Sequence, residues 1–266
     1  MKKLLISLFI GGGLTVGAVY AIGNIPLTTA WSAAEQYLPM PTRWSEADFE
    51  GTLSSGRVRQ LEVPQIGGME LGKLDLDWEV RGGSLATGRL SVALDGNLEE
   101  ASFQGVATRS VGGWQVTEGS GEVAAEQLQK MAQRRGVEVP PIAGKVTYKI
   151  DRLELDNNGE IKALEGRVVG NGLSLNQNGQ RLDLGTLAST VTGSNGAASG
   201  QLSDQGGPLG LSGSWRATQN GQYELDAVVT PKTSTTPALR EWLSEHGEPT
   251  GDGFRIHHAG ATPTQP

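Results

Sequence analysis

The stretch GTLSSGRVRQLEVPQIGGMELGKLDLDWEVRGGSLATGRLSVAL, residues 51–94, decides how this chain folds. Within it Leu74, Leu76, Trp78 and Val80 alternate with Asp75, Asp77 and Glu79. Successive side chains of an extended chain point to opposite faces, so a period of two describes a strand with one buried and one wet face. A second strand follows Gly82-Gly83, with Leu90, Val92 and Leu94 in phase. The pattern predicts strands over 47–53, 56–63, 73–81 and 86–94, with Asp95-Gly96 as a tight turn. The same glycine-punctuated unit recurs loosely down the chain.

Outward from that stretch, Phe103 to Arg109 and Trp114 to Val116 continue a meander through Gly112-Gly113. Helical spacing then appears between Glu122 and Arg135, where Ala124, Ala125, Leu128, Met131 and Ala132 share one side. Ser120 is the expected cap of that helix and Gly136 its stop. Val137 to Pro141 reads as a seam between two similar β halves, 47–141 and 142–258. The second half restarts with Val146, Tyr148 and Ile150 in alternation. Further strands are expected at 161–169, 172–175, 181–192, 209–216 and 223–230, with turns at Asn157-Asn158-Gly159, Asn178-Gly179 and Asn220-Gly221. Residues 193–200, small and polar, read as a loop. Thr236-Pro237 caps and opens a short helix striped by Leu239, Trp242 and Leu243 and ended by Gly247. Asp252-Gly253 turns into a last strand, Phe254 to His258. Residues 259–266 are expected to be a disordered tail.

Ahead of the β region, MKKLLISLFIGGGLTVGAVYAIGNI places Lys2 and Lys3 before an uncharged, mostly apolar run from Leu4 to Ile25. A helix of about 20 apolar residues spans a bilayer core. Residues 1–25 therefore read as a cytoplasmic stub and membrane anchor, with Leu4, Ile10, Leu14, Val19 and Ile22 among the anchor residues. Lysines at the start favour a cytoplasmic N-terminus and put the rest of the chain in the periplasm. A signal peptide cut after Val19-Tyr20-Ala21 is the alternative; the apolar run continues past Ala21, which favours the uncleaved anchor. Gly13 and Gly17 have the spacing of a helix-pairing motif, which chance also produces in a glycine-rich span. Residues 26–46 form a juxtamembrane linker. There Leu27, Trp31, Ala34 and Leu38 suggest an amphipathic helix, lying on the membrane or packed on the first strands.

Composition narrows the function. Of 266 residues, 39 are glycine and only four each are Phe and Tyr, which suits a thin, curled or open-barrel antiparallel sheet better than one thick core. A formal net charge of −7 argues against a nucleic-acid partner. With no cysteine there is no disulfide, thiol nucleophile or Cys-type zinc site.

Several pieces, in this order, resemble the type II (general) secretion pathway protein N family. They are the N-terminal span; Gly51-Thr52-Leu53 with Ser55-Gly56; Leu74 to Trp78 and Gly88-Arg89-Leu90; Gly113-Trp114; Gly207-Pro208-Leu209 leading into Gly213; Gly221-Gln222-Tyr223; Pro237-Ala238-Leu239 to Trp242-Leu243; and Asp252-Gly253-Phe254-Arg255-Ile256 with Gly260. The likeness covers almost the whole chain. It departs at Ser54, where the family often carries Trp. The resemblance implies a single-pass inner-membrane component of the machine that exports folded proteins across the outer membrane. Its implied partners are other secretion subunits and the bilayer, with no catalytic residues and no cofactor. Gly51, Thr52, Leu53, Gly56, Trp78, Asp252 and Gly253 are the motif residues to follow.

The remaining candidates for chemistry have bland explanations. His257 and His258 are adjacent on a strand and face opposite ways, so they do not share a metal, and His246 alone completes no site. Asp75, Asp77 and Glu79 recur about 7 Å apart along one strand face, a spacing that suits acid/base or calcium chemistry but equally a solvated face. The paired glycines lack the strand–loop–helix setting of phosphate loops, and no Ser sits in a nucleophile elbow. A periplasmic trough for lipid is the second expectation, since strand after strand alternates with few large residues to fill a core.

Overall fold

The protein is described by a computed structural model that places residues 48–62, 72–81, 89–99, 101–134, 139–177, 179–218 and 220–261, with Asn24, Pro26, Thr28 and Thr29 ahead of them. The membrane anchor expected over 1–25, with Leu4, Ile10, Leu14, Val19 and Ile22, lies outside the described residues. So does the linker 26–46, apart from Pro26, Thr28 and Thr29, and so do residues 262–266.

Among the described residues, fourteen strands form one antiparallel sheet: β1 (Asp48–Gly51), β2 (Ser55–Glu62), β3 (Lys73–Arg81), β4 (Leu90–Leu98), β5 (Ala101–Ser110), β6 (Gly113–Ala124), β7 (Ile142–Leu155), β8 (Ile161–Gln177), β9 (Gln180–Ser194), β10 (Ala197–Asp204), β11 (Leu209–Thr218), β12 (Gln222–Pro231), β13 (Glu248–Thr250) and β14 (Gly253–Ala261). Each strand pairs with its neighbour in sequence, except that β14 inserts between β12 and β13. The order runs from β1 to β13 without closing. Among the described residues, two helices interrupt the meander, α1 (Ala125–Arg134) and α2 (Pro237–His246). The mainly β, open antiparallel reading therefore holds. The seam expected near residue 141 falls between α1 and β7, where β6 and β7 pair directly, so one sheet runs through it.

Several boundaries differ for identifiable reasons. Asp95-Gly96 is not a turn: both lie inside β4, with Asp95 opposite Asp77 and Gln104, and Gly96 opposite Leu76 and Phe103. Gly96 is there to make room, since a Cβ on it would come 2.6 Å from Phe103 Cζ. Ser120 is no cap; it pairs within β6, and the helix starts directly from the strand end at Ala125. The two strands expected at 161–169 and 172–175 are one strand, β8, bulged near Gly172. The loop expected at 193–200 is a two-residue turn at 195–196 followed by β10. β13 was not legible, and β14 continues to Ala261, which absorbs the start of the expected tail.

The strand ends define two rims. The near rim carries the tight connections β1–β2, β5–β6, β7–β8, β9–β10 and β11–β12. The far rim carries both helices. α1 lies against β6 and β7, and α2 against β9 and β14. Thr236 caps α2 by accepting from the Leu239 backbone N–H at 3.3 Å, and Pro237 occupies the first turn, where its missing donor costs nothing. Leu239 and Leu243 are each 1 % exposed and pack on Leu175, Leu182, Leu209 and Val229. This cluster, on strands β8, β9, β11 and β12, is the most deeply buried part of the fold.

Candidate functional site

The register shows what the sheet offers. One row of directly opposed residues crosses it from Phe49 through Val58, Leu76, Gly96, Phe103, Gly121, Tyr148, Val168, Ser189, Leu202, Gly213 and Ala227 to Ile256. It contains no charge and only two hydroxyl groups. The adjacent row runs Glu50, Arg57, Asp77, Asp95, Gln104, Ser120, Lys149, Arg167, Thr190, Gln201, Ser214, Asp226 and His257, with no apolar member. Opposed residues share a face and adjacent ones do not. The sheet is therefore one layer with an apolar face and a polar face along its whole width.

The apolar face is smoothed by a repeated device: an aromatic ring lies over a glycine on the next strand. The pairs are Phe103 with Gly96, Tyr148 with Gly121, Trp215 with Gly200, and Tyr223 with Gly260, and Trp78 stands opposite Gly56 in register. An unsubstituted Cα lets the ring lie flat across the strand and covers backbone that glycine leaves open. Rings of this set also reach polar partners. Trp215 donates to Ser189 Oγ at 2.8 Å, and Trp78 donates to the Leu53 carbonyl at 3.2 Å. Burial raises the Tyr148 phenol, which donates to the Ser102 carbonyl. The signal existed in the sequence: Gly96 and Phe103 stand equidistant from the connection at 99–100. It becomes visible only once that turn is placed correctly.

α2 packs on this face, over Leu175, Leu182, Leu209 and Val229. Leu74, Leu76, Trp78, Val80, Val92 and Leu94 are half-buried, while the leucines beneath α2 are closed off. The apolar face of the N-terminal strands is thus less closed than the face beneath α2.

The family-motif residues separate into two groups. Gly51, Thr52, Leu53 and Gly56 build the β1–β2 turn, and Trp78 from β3 clamps it. Thr52 N–H donates to the Ser55 carbonyl at 2.8 Å, and the Val80 N–H reaches the Ser54 carbonyl at 2.7 Å. Gly51 has φ +89°, and a Cβ there would meet the Ser55 carbonyl, so the turn requires glycine. Ser54, where a Trp is common in the family, hydrogen-bonds the Thr52 hydroxyl at 3.1 Å. Asp252 and Gly253 are not brought to this turn. They form the β13–β14 connection at the other end of the strand order, where Gly253 packs on the Val229 carbonyl.

The charged candidates are engaged by neighbouring side chains and backbone. Arg59 holds Asp77 with two bonds of 2.8 and 2.9 Å, and Asp75 accepts from the Gln60 backbone N–H at 2.7 Å. Arg255 holds Asp226 below the usual carboxylate range. Lys232 does the same for Asp204, helped by the Leu211 N–H. His258 meets the Tyr223 hydroxyl at 3.2 Å, and His246 stacks on Trp242 with ring centroids 4.6 Å apart. Among the described residues, no group of three or more His, Asp or Glu is placed to hold a metal ion, and no helix is long and apolar enough to cross a membrane.

Comparison with curated proteins and with solved structures finds no match. Residues 42–257, well over half the chain, match the family model described as "Type II secretion system (T2SS), protein N". That span takes in both motif groups and nearly the whole sheet, and on it the chain belongs to the type II secretion system protein N family.

Proposed function

We propose that this secretion-system component is a single-pass inner-membrane protein whose sheet stands in the periplasm and works by binding other secretion subunits, without chemistry of its own. The apolar run before the sheet supports the anchor. The observation that supports partner binding is the sheet edge at β14. β13 covers only Gly253 to Arg255, leaving Ile256 to Ala261 with no strand on its outer side among the described residues. Natural edges are usually guarded by charge, proline or shortness. Here β13 carries Pro249, but the uncovered stretch ends in Ala259-Gly260-Ala261. Such an edge accepts an added strand, with main-chain hydrogen bonds supplying affinity.

Single cysteines test this cleanly because the chain has none of its own. Ala259→Cys in intact cells is expected to crosslink to another secretion subunit, and Asn97→Cys on the polar face is not. Equal crosslinking at both positions, or at neither, refutes edge binding.

A second reading is favoured by the less closed apolar face itself: that face holds an acyl chain. Lipid extracted in stoichiometric amount with the detergent-washed full chain, and lost in Leu76→Asp, supports it. Lipid present only in proportion to residual detergent opposes it.

A further inference from the structure

The near rim gathers a set of side chains that the sheet does not explain. Large apolar residues of a soluble fold are usually covered, and a contiguous exposed group marks a contact surface. Leu53 is 37 % exposed, Leu90 42 %, Trp114 47 % and Val111 91 %. All four sit at one end of strands β1 to β6: Leu53 in the β1–β2 turn, Leu90 at the start of β4, Val111 in the β5–β6 turn and Trp114 just after it. Cations stand among them. The Arg109 guanidinium lies 5.2 Å from the centre of the Trp114 ring and donates to Asn157, and Lys162 Nζ reaches the Gly112 carbonyl at 3.3 Å. Aromatic, aliphatic and cationic side chains mixed at one level are the composition of a membrane–water boundary.

A second, independent observation says which surface they meet. Pro26 forms an antiparallel bridge with Thr52, in the same turn as Leu53. Pro26 immediately follows the apolar run that ends at Ile25. One residue of chain and one interstrand spacing separate the end of that run from the rim, roughly 10 Å in all. The rim has no slack with which to stand away from the bilayer that the run enters.

We infer that the near rim of β1 to β6 rests in the headgroup region of the anchoring membrane, with Val111 and Trp114 at the acyl boundary and Arg109 and Lys162 against lipid phosphates. Lys162 reaches this rim from the start of β8, across the β5–β6 turn, and the contact tapers there, where the β7–β8 turn presents Asp156 and Glu160. Asp156 is taken up in holding that turn, through the N–H groups of Asn158 and Glu160. In this pose the apolar face meets the membrane end-on. The sheet projects away from the bilayer, and its helix-bearing rim points into the periplasm.

The inference rests on the anchored reading above, and the experiment separates the two. The full chain with Val111→Cys, carrying an environment-sensitive fluorophore or a nitroxide, is reconstituted in vesicles of phosphatidylethanolamine and phosphatidylglycerol. Val228→Cys, on the polar face of β12, is the control. Both side chains are exposed, so neither substitution threatens folding. The expected result is a blue-shifted, several-fold brighter fluorophore at 111, with a nitroxide reached better by oxygen than by a water-soluble relaxant, and an aqueous signature at 228. An aqueous signature at both positions, with the protein still retained on vesicles after a carbonate wash, overturns the rim contact and leaves the anchor standing. Release of the chain by the wash overturns the anchor and the rim contact together.

Discussion

The two ends of the sheet use the same alternation and reach different degrees of closure. Beneath α2, Leu175, Leu182, Leu209 and Val229 are each no more than 5 % exposed. Across β3 and β4, Leu74, Leu76, Val80, Val92 and Leu94 occupy the equivalent face and remain half-open. The strands do not differ in pattern; the difference is ten residues of capped helix. A single β layer cannot bury its own face, because burial needs a second layer. Stability is therefore concentrated where α2 lies, and an open apolar surface is left where it does not. On the binding role proposed above, the covered end is scaffold and the uncovered end is surface for use.

The comparison can be broken directly. Leu243→Ala is expected to cost about 2–5 kcal/mol in equilibrium denaturation of the full chain, as for other closed cores. Leu76→Ala on the open floor is expected to cost about 1–2 kcal/mol, because its side chain already meets solvent in the folded state. Equal losses would mean that the floor is covered after all. Gly260→Ala tests the aromatic cover at the sheet edge. Its Cβ would lie 2.6 Å from the Tyr223 hydroxyl oxygen, and its three nearest neighbours would all be atoms of that side chain. The expected cost is about 1–2 kcal/mol, and it should vanish in a Tyr223→Ala background; a cost that persists there would place the strain in the backbone instead. Thr236→Ala removes the α2 cap and is expected to cost about 1 kcal/mol. That loss should lower protection of the Leu239 and Leu243 amides from exchange and leave β3 and β4 unchanged.

The smallest effect is a pH dependence. Asp204 has a lowered pKa in the fold, first because of its bond from Lys232. Its contribution is present above the unfolded carboxylate value of about 3.9 and is lost as pH falls through the lower folded value. Asp204→Asn should therefore flatten the fall in stability below about pH 5. Unfolding midpoints of wild type and variant that stay parallel through that range would remove Asp204 as the cause.

The places where the sequence was read wrongly follow one physical line. Asp95-Gly96 has the composition of a hairpin turn, yet it lies mid-strand because Phe103 needs a bare Cα opposite it. Glycine is demanded both by turns and by ring-covered strand positions, and local composition does not separate the two. Ser120 resembled a cap for the same kind of reason: its β6 neighbours fix it as strand, and they come from β5 and β7. The motif residues divide likewise. Gly51, Thr52, Leu53 and Gly56 are local in sequence and meet in one turn, but their clamp, Trp78, arrives from β3. That Asp252-Gly253 lies at the opposite edge could be known only from strand order.

Alternation alone determined that this chain makes antiparallel strands with one apolar and one polar face, since side-chain direction in an extended chain is a local property. Capping chemistry at Thr236-Pro237 likewise determined α2. Tertiary structure decided that all fourteen strands join one sheet, that α2 covers only one end of it, and that Leu53, Leu90, Val111 and Trp114 share a rim with Pro26. Those outcomes depend on which strand pairs with which and in what register, and register is set by contacts between residues far apart in the chain.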